Sequence, residues 1–171
     1  ELGPVHFYLL PYVDPPAANS LFPEPPARTF QEAFDKAAAP ILEDANFSKR
    51  NVLICHGTFC RTKSDGVQAA EESVGGADLV DLRQYRDFDY IAAVHIHRKQ
   101  NIASNMRYSG SILKYSPNEH SLSPTVTVLT LGEKGNLSIE ERTVPILRDL
   151  KVVKGFFDRL IDREGPDKDY V

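Results

Sequence analysis

The sequence predicts an α/β fold built around a mixed sheet, and three observations carry that prediction. Two apolar runs, Asn51-Val52-Leu53-Ile54-Cys55-His56 and Asp89-Tyr90-Ile91-Ala92-Ala93-Val94-His95-Ile96-His97, are of strand length and scarcely alternate, as strands covered on both faces do. A segment of helical period lies between the first strand signal and the first of these runs. Beyond residue 105 the pattern changes to alternation of apolar and polar residues between turn signals, which is the mark of antiparallel strands.

Taken in order, Val5-His6-Phe7-Tyr8-Leu9-Leu10 is short, apolar and aromatic, and Pro11 closes it, which predicts a strand. Residues 14–26 hold five of the twelve prolines and are expected to form a surface connection, since proline cannot donate to a ladder. Thr29-Phe30-Gln31-Glu32 has the spacing of a capping box, and Phe30, Phe34, Ala37 and Ile41 follow on one helical face. Pro40 should kink or split that helix. Residues 61–76 are polar, glycine-bearing and without period, which predicts a long exposed loop. Residues 106–108, 111–115, 125–131 and 137–144 predict an antiparallel meander. Residues 147–153 suit one more strand, and Phe156, Phe157, Leu160 and Ile161 would form the apolar face of a short helix.

With 171 residues, 42% of them hydrophobic and 26% charged, the chain has the composition of a soluble globular protein. It has no apolar run near the roughly 18 residues a membrane span requires. The length suits one domain with a core or a piece of a larger one. The start, Glu1-Leu2-Gly3-Pro4, carries neither a methionine nor a basic, apolar leader, so we expect no secretory signal and a beginning inside a longer polypeptide. Two cysteines, Cys55 and Cys60, outside any C-x-x-C pair, argue against a disulfide framework and for a reducing cytoplasm. The net charge of −4 leaves no basic footprint, so any contact with nucleic acid must come from local geometry or from other parts of the protein.

Chemistry concentrates at the ends of the two apolar runs. A His-x-His pair on a strand puts His95 and His97 on one side, His56 ends the other run, and sites in open α/β sheets gather at the carboxyl ends of strands. Three neutral imidazoles suit zinc, manganese, iron or nickel. The alternative is that His95 and His97 are loop histidines bonded to backbone. Cys55 is either a thiolate nucleophile or, as is usual inside a buried strand, a small core residue. His6 and His120 read as structural or solvated.

Read together, longer strings resemble a known family. Pro4-Val5-His6-Phe7-Tyr8-Leu9-Leu10-Pro11-Tyr12, Ser73-Val74-Gly75-Gly76-Ala77-Asp78-Leu79-Val80-Asp81 and the run from Phe88 to His95-Ile96-His97-Arg98 occur in its order. Arg107-Tyr108-Ser109-Gly110-Ser111-Ile112-Leu113-Lys114-Tyr115-Ser116 is the most specific match. From about residue 4 to about residue 155 the chain resembles the C-terminal part of the catalytic core of SbcD-type DNA repair nucleases, in the calcineurin-like metallophosphoesterase superfamily. The resemblance implies a layered α/β/β/α core over residues 1–146, with residues 147–171 beginning an accessory, capping segment.

It also implies a DNA exonuclease and endonuclease that uses two metal ions, usually manganese, and works with an SbcC-type ATPase. A homodimer through the absent N-terminal half and no attachment to a membrane go with it. By position, His56 resembles the strand-end histidine on one metal, His95 that metal's other histidine, and His97 a ligand of the second. Gly57 would leave room for the substrate backbone. The family's Asp-x-His, Gly-Asp-x-x-Asp and Gly-Asn-His motifs occur nowhere in the chain, so no catalytic residue is assigned and the chain alone is expected to be inactive. Val94 stands where glycine is usual. Two other readings remain: a non-catalytic module of this fold that docks an ATPase or DNA, and a different metallophosphoesterase.

Overall fold

In the computed structural model the described residues are 2–60, 78–156, 158 and 160. The first strand, β1 (Val5–Leu10), forms as its composition predicts and stops at Pro11. Two helices follow. The first, α1 (Pro15–Leu21), occupies part of the segment expected to be a mere connection. Its prolines sit in the first turn, where a missing N–H costs nothing, and the Asp14 carboxylate caps it by accepting from the Ala17 N–H at 2.8 Å. In α2 (Phe30–Asp44) the capping box is complete: Thr29 accepts from the Glu32 N–H, and Glu32 accepts from the Thr29 N–H. Pro40 does not split this helix. It lies on the exposed side, where water can serve the carbonyl that loses its partner.

Beyond α2 come β2 (Arg50–His56), β3 (Thr58–Cys60), β4 (Leu79–Asp81), β5 (Tyr90–Val94), β6 (Gln100–Ala103) and β7 (Met106–Tyr108). The main sheet has the order β1-β2-β5-β7-β6, with the first four strands parallel and β6 antiparallel at the edge. The mixed α/β sheet is therefore as the sequence predicts, but the meander is not. Residues 106–108 join the parallel set beside β5, and residues 111–115 form no strand. Only β8 (Thr125–Leu131) and β9 (Leu137–Thr143) pair as an antiparallel hairpin. Residues 147–153 contribute a single bridge at Leu150 rather than a strand. The loop expected over 61–76 and the residues Phe157 and Ile161 of the expected last helix lie outside the described residues.

Strand alternation divides the sheet into two faces. Leu53, Cys55, Ile91, Ala93, Met106 and Tyr108 turn to the side of α2 and form the core with Phe34 and Ala38. Arg50 and Arg107 belong to the other side and fasten the β8–β9 hairpin to it. Arg50 donates to the carbonyls of Leu131 and Gly132 at 3.3 and 3.1 Å, and Arg107 meets the Glu141 carboxylate at 2.6 Å. Beyond the hairpin's reach this face leaves Phe7, Leu9 and Val94 exposed.

At the amino end of β5 the Asp89 carboxylate joins three elements. It accepts from the Asn51 N–H at 2.7 Å, from Lys134 at 2.7 Å and from the Gly135 N–H at 3.2 Å. Burial alone would raise its pKa, but Lys134 and the two backbone donors outweigh burial and hold it below the ordinary carboxylate value. A depressed folded-state pKa gives stability that is complete above the unfolded value near 3.9 and is lost as pH falls through the lower folded value. Asp89→Asn should therefore cost about 2 kcal/mol at neutral pH. In denaturant titrations that difference from the wild type should shrink towards zero as the pH is lowered below 4.

Candidate metal and phosphodiester site

His56 is the last residue of β2, and its register partner on β5 is Val94. The second histidine motif is built differently from the expectation. β5 ends at Val94, one residue before His95, and His95 has a φ of 128°, outside the range of any strand. His95 and His97 thus lie in the turn after the strand, and period-two alternation is not what places them. The positive φ swings the His95 ring towards His56.

The two rings meet. His56 Nε2 and His95 Nδ1 are 3.2 Å apart, with ring centroids at 5.3 Å. Tyr12, just beyond β1, stacks on His95 and meets His56 edge-on, at centroid distances of 6.5 and 5.8 Å. Burial, and then the neighbouring His95, lower the His56 pKa, so this pair carries at most one shared proton between the facing nitrogens at neutral pH. His97 borders the same open pocket, of about 640 Å³, with His56, His95, Val94, Ser111 and Glu119.

His97 turns Nδ1 to the Glu119 carboxylate at 2.7 Å. Glu119 is buried and its other oxygen accepts from the Tyr115 N–H at 2.8 Å. Burial would raise this carboxyl, but the Tyr115 N–H and His97 more than offset it and hold its pKa below the ordinary value. A carboxylate on one ring nitrogen fixes the tautomer and leaves Nε2 as the free lone pair. Sequence reasoning did not single out Glu119. Its signal was there in Ser116-Pro117-Asn118-Glu119, a capping-box spacing at the start of a short 3-10 turn, whose glutamate reaches back one residue further than usual and across to His97.

Tyr108, from the Arg-Tyr-Ser-Gly-Ser string, is a core residue. Its hydroxyl donates to the Gly57 carbonyl at 2.8 Å and accepts from the Phe59 N–H at 2.6 Å. Gly57 does not open space for a substrate: a Cβ there would come within 3.0 Å of the Phe59 ring, so the glycine makes room for core packing. Gly110 has a φ of +80°, and a Cβ on it would press on the His97 carbonyl and the Lys99 nitrogen at 3.0 Å. The Ser111 N–H then bonds that His97 carbonyl at 3.0 Å, which ties the serine-glycine-serine turn to the histidine turn.

Two imidazole nitrogens bound to adjacent positions of one divalent ion stand about 3 Å apart. His56 and His95 match that spacing. A two-ion centre is another matter, because among the described residues no three His, Cys, Asp or Glu side chains are grouped to hold a metal. The residues present supply part of the ligand set for one ion and do not fit the complete centre. His6 is exposed on β1, and His120 bonds the Pro117 carbonyl at 2.9 Å, so both lie apart from the site as expected.

The geometry now has a counterpart among characterised proteins. Over 164 residues the chain is 30% identical to SbcD, the smaller-lettered half of the SbcCD nuclease, from Staphylococcus epidermidis, covering 94% of this chain and 43% of that protein. It is similar to SbcD. Its identity to the SbcD of Staphylococcus saprophyticus is 27% over 169 residues, covering 95% of the chain and 43% of that protein. The chain thus spans less than half the length of the curated relatives it matches. It matches no protein-family profile. Among the described residues no helix is long and apolar enough to cross a membrane.

Cys55 resolves as a core residue: it is 1% exposed, and burial pushes its thiol pKa well up, the opposite of what a nucleophile needs. Cys60 is equally buried. Native protein should therefore react with a thiol-specific chromogenic disulfide only as fast as it unfolds, with both cysteines titrating promptly in denaturant. Fast modification of Cys55 in the folded state at neutral pH would restore the nucleophile reading.

Proposed function

We propose that this chain is the C-terminal part of the catalytic core of an SbcD-type nuclease, in which His56, His95 and His97 are metal ligands. The observation that carries the reading is the 3.2 Å approach of His56 to His95 at the carboxyl ends of adjacent parallel strands, in a pocket shared with His97. The similarity to SbcD over nearly the whole chain gives that pocket its chemistry. In this reading the whole protein hydrolyses DNA phosphodiester bonds with two divalent ions, manganese by preference, beside an SbcC-type ATPase. A pair of such ions would hold the phosphodiester and supply the attacking water.

The chain's own residues supply imidazoles and the Glu119 support behind one of them, whereas the carboxylates that offset the repulsion between two adjacent cations come from the upstream half. The exposed apolar side chains Phe7, Leu9 and Val94 beside the pocket support a further segment of the core on this face. The chain alone is inactive in this reading. The non-catalytic alternative draws on one residue: Val94, 46% exposed and lining the pocket where glycine is usual in the resembled family.

A nuclease assay on linear DNA with manganese decides between them. The chain alone should leave the DNA intact, co-expression with the upstream half of an SbcD-like core should produce manganese-dependent cleavage, and His95→Ala should remove it. Robust cutting by the isolated chain that His95→Ala abolishes would contradict the division of ligands. A well-folded pair that does not cut, even with Val94→Gly, would leave the docking module as the better reading.

A further inference from the structure

We propose that the groove next to the histidine pocket is a subsite for a phosphate of a nucleic-acid backbone, with the Thr125 hydroxyl and the Arg98 guanidinium as its principal donors. The proposal deepens the nuclease reading, on which its choice of substrate rests. The groove, of about 310 Å³, is lined by Arg98, Ser109, Ser111, Ser121, Ser123 and Thr125, and shares His97, Gly110 and Ser111 with the histidine pocket. One wall therefore serves both, and a strand whose scissile phosphate faces His56 and His95 would lay a neighbouring phosphate in the groove.

Three properties of the lining point to an oxyanion. Thr125 is 5% exposed, lines the groove, and its Oγ1 has no hydrogen-bond partner. A buried hydroxyl left without a partner costs about 1–3 kcal/mol, which an acceptor arriving in the groove would recover. Arg98, exposed beside it, makes no ion pair among the described residues, while the other two cations of the lining are engaged: Lys99 with Glu141 at 2.5 Å and Lys114 with Asp149 at 2.8 Å. The carboxylates at the groove are thus neutralised, and the uncompensated charge is positive. The remaining donors are the hydroxyls of Ser121 and Ser123, since Ser111 is committed to the Leu113 carbonyl. Uncharged hydroxyls with one guanidinium suit a singly charged phosphodiester, and they position the backbone without reading a base.

The test uses the 171-residue chain and two probes, a fluorescent single-stranded oligodeoxynucleotide followed by anisotropy and inorganic phosphate followed by amide chemical shifts. Thr125→Val keeps the shape and removes the hydroxyl, and Arg98→Gln removes the charge. Each should weaken oligonucleotide binding roughly five- to tenfold, with wild-type shifts centred on residues 121–125 and the Arg98 variant less dependent on salt. Thr125→Val should also melt no lower than the wild type, which separates lost binding from lost folding.

Unchanged oligonucleotide affinity in both variants would overturn the proposal, as would undetectable binding by the wild type. Shifts with inorganic phosphate but no oligonucleotide binding would refute the nucleic-acid source and leave a free-anion site. Groove binding that survives while the reconstituted pair fails to cleave would instead refute the nuclease reading and keep the subsite.

Discussion

A single buried hydroxyl holds the site's framework in register. Tyr108, on β7, reaches across to the turn after β2, where it serves the Gly57 carbonyl and the Phe59 N–H at once. Those two backbone groups lie inside the core, where leaving them unpaired would cost about 1–3 kcal/mol each, so the turn has no cheap alternative position. Phe59 then packs against Tyr108 and Phe34, at centroid distances of 6.1 and 5.4 Å, and Gly57 yields the space that the Phe59 ring takes. His56 precedes this fixed turn and inherits its position. On the adjacent strand the Gly57 N–H bonds the Val94 carbonyl at 3.0 Å, immediately before His95 leaves strand geometry.

The electrostatics follow from that placement. Two imidazoles in contact cannot both be charged without repelling each other, so the pair is held ready to share either one proton or one cation. Glu119 acts on the third histidine in the opposite sense, because a carboxylate at Nδ1 fixes the ring and makes Nε2 a better donor of electrons. A pocket with three imidazoles and only one carboxylate, itself engaged behind His97, is half of a divalent-ion site in chemical terms. The groove beside it continues the same wall with hydroxyls and a guanidinium, a change from groups that ligate a metal to groups that hold a phosphate.

Much of this was legible in the sequence, and the failures have particular causes. Buried parallel strands declare themselves as apolar runs, so β2 and β5 were readable, and the Thr29–Glu32 box fixed the start of α2. Prolines misled in both directions. In α1 they fall in the first turn and in α2 on the exposed side, positions that cannot be told from composition. Residues 106–108 alternate like an antiparallel strand yet pair in parallel with β5, because alternation reports which faces are covered and not the direction of the neighbour. The histidine residues were found for a reason that was partly wrong: His95 and His97 share a pocket with His56 through a positive φ after the strand, not through strand alternation. Glu119 and Thr125 were missed because their roles arise only from contacts between distant segments.

The claim at the centre is that His56, His95 and His97 together form the cation-binding half of a site. Paramagnetic broadening of the histidine ring signals by manganese, added below one equivalent, tests it most directly. The account predicts that the rings of His56 and His95 broaden first, with His97 next, that His6 and His120 stay sharp, and that His95→Ala abolishes the effect. Equal broadening of all the histidines, or broadening that survives His95→Ala unchanged, would contradict it.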